Sequence, residues 1–140
     1  MASEKLHPGA KGHAIDPKRI TGRIFPNGAG TPTWESEGGV AGVVYTAAGK
    51  FTVTLNEGYY KPIAFAATVQ CNGDAVDLYA QLGDFNNVGR HNGAARGTPG
   101  QPTTFVVKLK TGATNTDAAA AAQTAVFFDV TFEDVDRSSS

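Results

Sequence analysis

The strongest regularity of the chain is a two-residue alternation of apolar and polar side chains. It is clearest in Val126-Phe127-Phe128-Asp129-Val130-Thr131-Phe132-Glu133 and recurs over residues 49–56 and 62–71. Successive side chains of a strand point to opposite faces, so Val126, Phe128, Val130 and Phe132 share one face while Asp129, Thr131 and Glu133 share the other. One face in the core and one in water is the signature of an antiparallel sheet. The same reading predicts strands over residues 19–25, 40–46, 50–56, 62–71, 75–82, 103–110 and 124–135. Turn residues separate them: Pro26-Asn27-Gly28, Ala47-Ala48-Gly49, Glu57-Gly58 and Asn72-Gly73-Asp74, of which Ala47-Ala48-Gly49 and Asn72-Gly73-Asp74 are hairpin signals. About seven to eight strands of this kind predict an all-β fold, an antiparallel β-sandwich or jelly roll. Its expected core includes Phe51, Val53, Leu55, Phe65, Val69, Leu78, Phe105, Val107, Phe128 and Val130. Phe127 falls on the opposite face, so either a second layer covers that face or Phe127 is an exposed apolar contact of the kind found at oligomer surfaces.

The alternation does not extend to the front of the chain. Residues 1–17 hold only Leu6 and Ile15 as large aliphatic side chains, too few to fold alone, and are expected to form an extended N-terminal arm. Residues 18–137 are expected to form a single sandwich domain and residues 138–140 a short tail. Two connections are long, residues 83–101 and 112–123, and such loops are usually functional or disordered. The first contains Arg90, His91 and Arg96; the second contains Ala118 to Ala122, expected to form one helical turn or a small-residue contact surface.

Composition narrows the function classes. A chain of 140 residues fits one domain with its own core. The single cysteine, Cys71, has no internal disulfide partner and keeps step with Ile63, Phe65, Ala67 and Val69, so it reads as a small buried hydrophobe. No run of about 18 apolar residues suggests a membrane span, and residues 1–15 lack the apolar stretch of a secretory signal. Synthesis in a cytoplasm is therefore expected. A net charge of −1 argues against a general nucleic-acid binder. Charge is nevertheless uneven, with Lys5, Lys11, Lys18, Arg19 and Arg23 in front and Asp129, Glu133, Asp134 and Asp136 behind. The two ends either pair between neighbouring copies or are solvated independently.

Candidate chemistry is sparse. His7, His13 and His91 have no cysteine or carboxylate at ligand spacing, so neither a metal nor a cofactor is expected. His91 with Asp84 and Thr98 lacks a rigid base and an oxyanion hole, and reads as a solvated loop residue rather than a general base. Gly28-Ala29-Gly30 is followed by Thr31-Pro32-Thr33-Trp34, where a phosphate-binding turn would need a third glycine and a helix. Trp34 reads as a plug at one end of the sandwich, and Tyr59-Tyr60 as core or edge covers. The chain is expected not to be an enzyme. Candidate partner-binding residues are Lys5, Lys11, Lys18, Arg19, Arg23, Arg90, Arg96 and Phe127.

The strand Gly49-Lys-Phe-Thr-Val-Thr-Leu-Asn-Glu-Gly-Tyr-Tyr60, a second strand ending in Val69-Gln70 and the terminal Val126-Phe-Phe-Asp-Val-Thr-Phe132 resemble a pattern seen in small all-β structural proteins of tailed bacteriophages. The likeness covers residues 40–135. It implies a virion protein on the capsid exterior, a decoration or cement protein that binds the major capsid protein, stabilises the assembled head and is frequently a homotrimer. No functional residues transfer by motif, and the basic arm departs from the pattern; its role in capsid binding is an expectation from its charge. The alternative is a receptor- or carbohydrate-binding tip domain of a phage fibre, with Trp34, Tyr59 or Tyr60 and the 83–101 loop as its site.

Overall fold

The computed structural model describes residues 17–58, 61–71, 78–86 and 102–133. Nine strands are found among them: β1 (Lys18–Phe25), β2 (Thr33–Ser36), β3 (Val40–Ala47), β4 (Lys50–Leu55), β5 (Lys61–Gln70), β6 (Tyr79–Asn86), β7 (Thr104–Thr111), β8 (Thr114–Asn115) and β9 (Ala125–Glu133). They form two antiparallel sheets, one ordered β2-β1-β9-β5 and the other β3-β4-β7-β6 with the short β8 paired to β7. The fold is a β-sandwich.

The inner faces follow from the alternation. In β4, Phe51, Val53 and Leu55 are buried while Lys50, Thr52 and Thr54 are not, and β7 repeats the pattern with Phe105, Val107 and Leu109. In β9, Val126, Phe128, Val130 and Phe132 are buried as expected, opposite Ile20 and Ile24 of β1. Each fully buried side chain of this size contributes about 1.5–3 kcal/mol relative to exposure, which makes these two central strand pairs the main support of the domain. Rings link the layers: Phe105 of one sheet meets Phe128 of the other edge-on at 5.5 Å.

Ala47-Ala48-Gly49 makes the β3–β4 hairpin, with Ala47 opposite Lys50. Gly49 adopts a left-handed φ of 64° and is buried against β7 and β8, where its carbonyl accepts a bond from the Leu109 N–H at 2.7 Å. The Asp117 carboxylate fastens this corner, accepting from the Gly49 N–H at 2.9 Å and from the Tyr45 hydroxyl at 3.0 Å. Burial, and then the adjacent Asp117 carboxylate, push the Tyr45 phenol above its ordinary range. The turn over residues 118–122 is a short 3-10 helix, Ala120–Ala122.

Three expectations need correction. Asn72-Gly73-Asp74 lies outside the described residues, but the strands it was expected to join as a hairpin belong to different sheets: β5 pairs with β9 and β6 with β7. The connection therefore passes from one layer to the other. The strand expected over residues 75–82 is found at Tyr79–Asn86, extended by a bulge between Gly83 and Asn86 where Asp84 takes a φ of 51°. Phe65 keeps its inward register opposite Val130 yet is 52% exposed, because β5 is the edge strand of its sheet and only the neighbouring edge of β6 lies beside it. Val69 and Leu78 are half-buried against the core. Trp34 packs there too, paired with Ile24, and Cys71 is likewise part-buried.

Candidate contact site on the four-stranded sheet

The outer face of the β2-β1-β9-β5 sheet gathers the charged and aromatic positions that the alternation keeps out of the core. Strand register sets them in rows. Glu35, Arg23, Phe127 and Thr68 stand side by side across all four strands. The next row is Thr21, Asp129 and Ala66, and the one after it Arg19, Thr131 and Ala64. Cross-strand neighbours of this kind lie close enough to interact directly, and diagonal ones remain within reach of long side chains.

Arg19 uses that diagonal reach. Its Nε donates to Asp129 Oδ1 at 3.0 Å and its Nη2 to Asp129 Oδ2 at 2.6 Å, a two-pronged ion pair. The hydrogen bond from Arg19 holds the Asp129 carboxyl below its ordinary range, and the same bond raises the guanidinium. Arg23 pairs with Glu35 across β1 and β2. Its guanidinium carbon also lies 5.7 Å from the Phe127 ring centroid and 5.8 Å from that of Phe25, close enough for cation–π attraction to both.

Small side chains on β5 shape what remains. Ala66 and Thr68, with Thr21 on β1, leave a hollow of about 580 Å³ between Arg23 and Phe127 on one side and Asp129 on the other. Glu35 and Glu37 stand at its rim. Phe127 is half-buried between its cross-strand neighbours Arg23 and Thr68, with the Arg23 guanidinium against its ring. Chemically the site offers a flat apolar ring, a planar cation and carboxylates around a concavity, a set suited to recognising another surface.

Of the residues singled out from the sequence, Arg19, Arg23 and Phe127 converge here, and Lys18 is exposed at the start of the same β1 strand. Lys5, Lys11, Arg90 and Arg96 lie outside the described residues, as do His7, His13, His91, Tyr59 and Tyr60. Among the described residues one front charge meets one back charge within the chain, Arg19 with Asp129, while Arg23 takes Glu35, only twelve residues on. Glu35 was missed because β2 has only four residues and no audible alternation. The two-residue spacing of Thr33 and Glu35 about Trp34 was the available signal.

Other exposed apolar side chains lie apart from this face. Val44 is on the outer side of β3, and Ile63 and Phe65 are on β5, where the Phe65 ring stands 5.3 Å from that of Phe85. Among the described residues no group of three His, Cys, Asp or Glu side chains could hold a metal ion, and no helix is long and apolar enough to cross a membrane. Comparison with family models, curated proteins and solved structures finds no match.

Proposed function

We propose that this chain is a structural virion protein, a decoration or cement protein that binds the assembled head of a tailed bacteriophage from outside. Its partners are the major capsid protein and its own copies in a homotrimer, assembled after synthesis in the host cytoplasm. The observation that carries this reading is the Glu35-Arg23-Phe127-Thr68 row with its open hollow. Aromatic side chains and arginines are the residues most enriched where protein surfaces bind tightly, and here the strands beneath hold them without loop rearrangement. The resemblance of its strand pattern to small phage structural proteins suggests the class of partner. The lysines of the N-terminal segment add a charged attachment, and many weak contacts repeated over a shell give slow release.

The test is co-sedimentation of the purified protein with undecorated shells. Arg23→Ser with Phe127→Ser is expected to lower occupancy strongly while the circular dichroism stays that of folded sheet. Removing residues 1–17 is expected to weaken attachment further. Full occupancy by both variants would overturn the reading, and solution mass separates trimer from monomer.

A further inference from the structure

A second hollow opens at the end of the same sheet, where the β1–β2 connection, the last residue of β5 and the entry to β9 meet. Its volume is about 550 Å³, within the range of small-molecule sites, roughly 300–1,000 Å³. The side chains that line it are unlike those of the contact face. Among the described residues that line it three are carboxamides, Asn27, Gln70 and Gln123, three are hydroxyls, Thr31, Thr33 and Thr124, and none is Lys, Arg, Asp or Glu. The ring of Phe25 supplies an apolar wall.

Three features hold the walls in place. The Gly28 N–H donates to the Ala118 carbonyl at 2.7 Å, which ties the β1–β2 connection to the segment before β9. Thr124 is only 4% exposed, with its hydroxyl 4.0 Å from the Cys71 sulfur, yet it borders the hollow. Gln123 ends the short 3-10 helix in a left-handed conformation, φ 52°, with its N–H donating to the Ala120 carbonyl at 3.0 Å, which fixes the turn that borders the hollow.

We propose that this hollow binds a neutral saccharide. A carboxamide donates through its nitrogen and accepts through its oxygen, so it matches adjacent sugar hydroxyls, each of which is itself donor and acceptor. Threonine hydroxyls extend that set, and the C–H face of a pyranose packs against a phenyl ring. Among the described lining residues no cation would compensate a phosphate, sulfate or carboxylate, whose burial is then penalised, and Arg23, which lies over the Phe25 ring, is already paired with Glu35. Neutral, amphipathic and rich in hydroxyls is the description of a hexose. The hollow adjoins the Arg23–Phe127 face and shares the Phe25 ring with it, but its saccharide reading does not depend on whether that face binds a capsid.

The test is titration of the ¹⁵N-labelled full-length chain with the methyl pyranosides of glucose, galactose, mannose and N-acetylglucosamine, with glucuronate as the charged comparison. Saturable amide shifts at Asn27, Thr31, Gln70 and Gln123 are expected for at least one neutral glycoside, with glucuronate weaker than its neutral counterpart. Gln70→Ala with Gln123→Ala, both at exposed positions, is expected to weaken binding about tenfold or more with the spectrum otherwise preserved. Thr31→Val, also exposed, should weaken it by a smaller factor. Absence of saturable shifts with all four neutral glycosides would overturn the proposal. So would unchanged affinity in the folded double variant.

Discussion

Gly22 and Phe128 face each other across β1 and β9, and the phenyl ring occupies the space a side chain at Gly22 would need: a Cβ there would stand 2.5 Å from Phe128 Cζ and 2.9 Å from the Glu35 carbonyl oxygen. Between Ile20 and Ile24, a strand that otherwise buries aliphatic side chains therefore leaves a gap for an aromatic from its neighbour. Phe128 then reaches across to Phe105 and joins the two sheets. Gly22→Ala is expected to destabilise the fold by about 1–3 kcal/mol through overpacking. Phe128→Leu in the same chain should recover part of that loss, a coupling that a double-mutant cycle of urea midpoints measures. Strict additivity of the two changes would show that the ring does not fill the Gly22 space.

Much of this fold is legible in the sequence because β4, β7 and β9 alternate without interruption, and each is flanked by paired strands that hold its register. Phe51, Val53, Phe105 and Val130 go inward for that reason alone. Where legibility fails, the cause is long-range. Phe65 alternates as well as Phe128 does, but nothing in its local pattern says that β5 ends up at an edge. Likewise, a turn such as Asn72-Gly73-Asp74 signals a reversal without saying whether the chain returns to the same sheet or crosses to the other. At the contact site, Arg19, Arg23 and Phe127 stood out by charge and by phase, whereas their alignment into rows with Glu35 and Asp129 depends on pairings between residues far apart in the chain.

The Gly49 corner carries a second prediction. A Cβ at Gly49 would lie 2.5 Å from the Leu109 carbonyl oxygen and 2.6 Å from the Thr116 nitrogen, and φ is 64°. Backbone atoms cannot yield as a flexible side chain can. Gly49→Ala is expected to cost about 2 kcal/mol or more, from the left-handed backbone and the clash together. Asp117→Ala should cost less but loosen the same corner, since it removes the acceptor of the Gly49 N–H and the Tyr45 hydroxyl. Hydrogen exchange at Gly49 reads this directly: protection there should fall in Asp117→Ala while that of Val107 in β7 is retained.

The Arg19–Asp129 pair sets a pH dependence. Because the hydrogen bond from Arg19 lowers the Asp129 pKa in the folded state, its contribution is fully present above the unfolded-state value and is lost as pH falls through the lower folded one. The side chains are 69% and 41% exposed, so the effect is small and salt weakens it. Carboxyl ¹³C titration is expected to place the Asp129 midpoint below the ordinary 3.8, and Arg19→Ala should move it upward. An unmoved midpoint in that variant would mean the pair does not form in solution.

Phe65 and Phe105 have similar sequence surroundings and opposite fates, which makes them a test of how the sandwich closes. Phe105 is fully buried, with its ring 5.3 Å from Phe85 and 5.5 Å from Phe128. Phe65 touches the same aromatic series only at its end, through Phe85, and half of it remains in contact with water. Phe105→Ala removes ring contacts on several sides and is expected to cost about 3–5 kcal/mol. Phe65→Ala removes one aromatic pair and part of its burial, for about 1 kcal/mol. Urea unfolding of the two variants distinguishes them by midpoint at constant slope. Equal losses would mean that the flank between β5 and β6 is sealed in solution, with Phe65 as much a core residue as its alternation first implied.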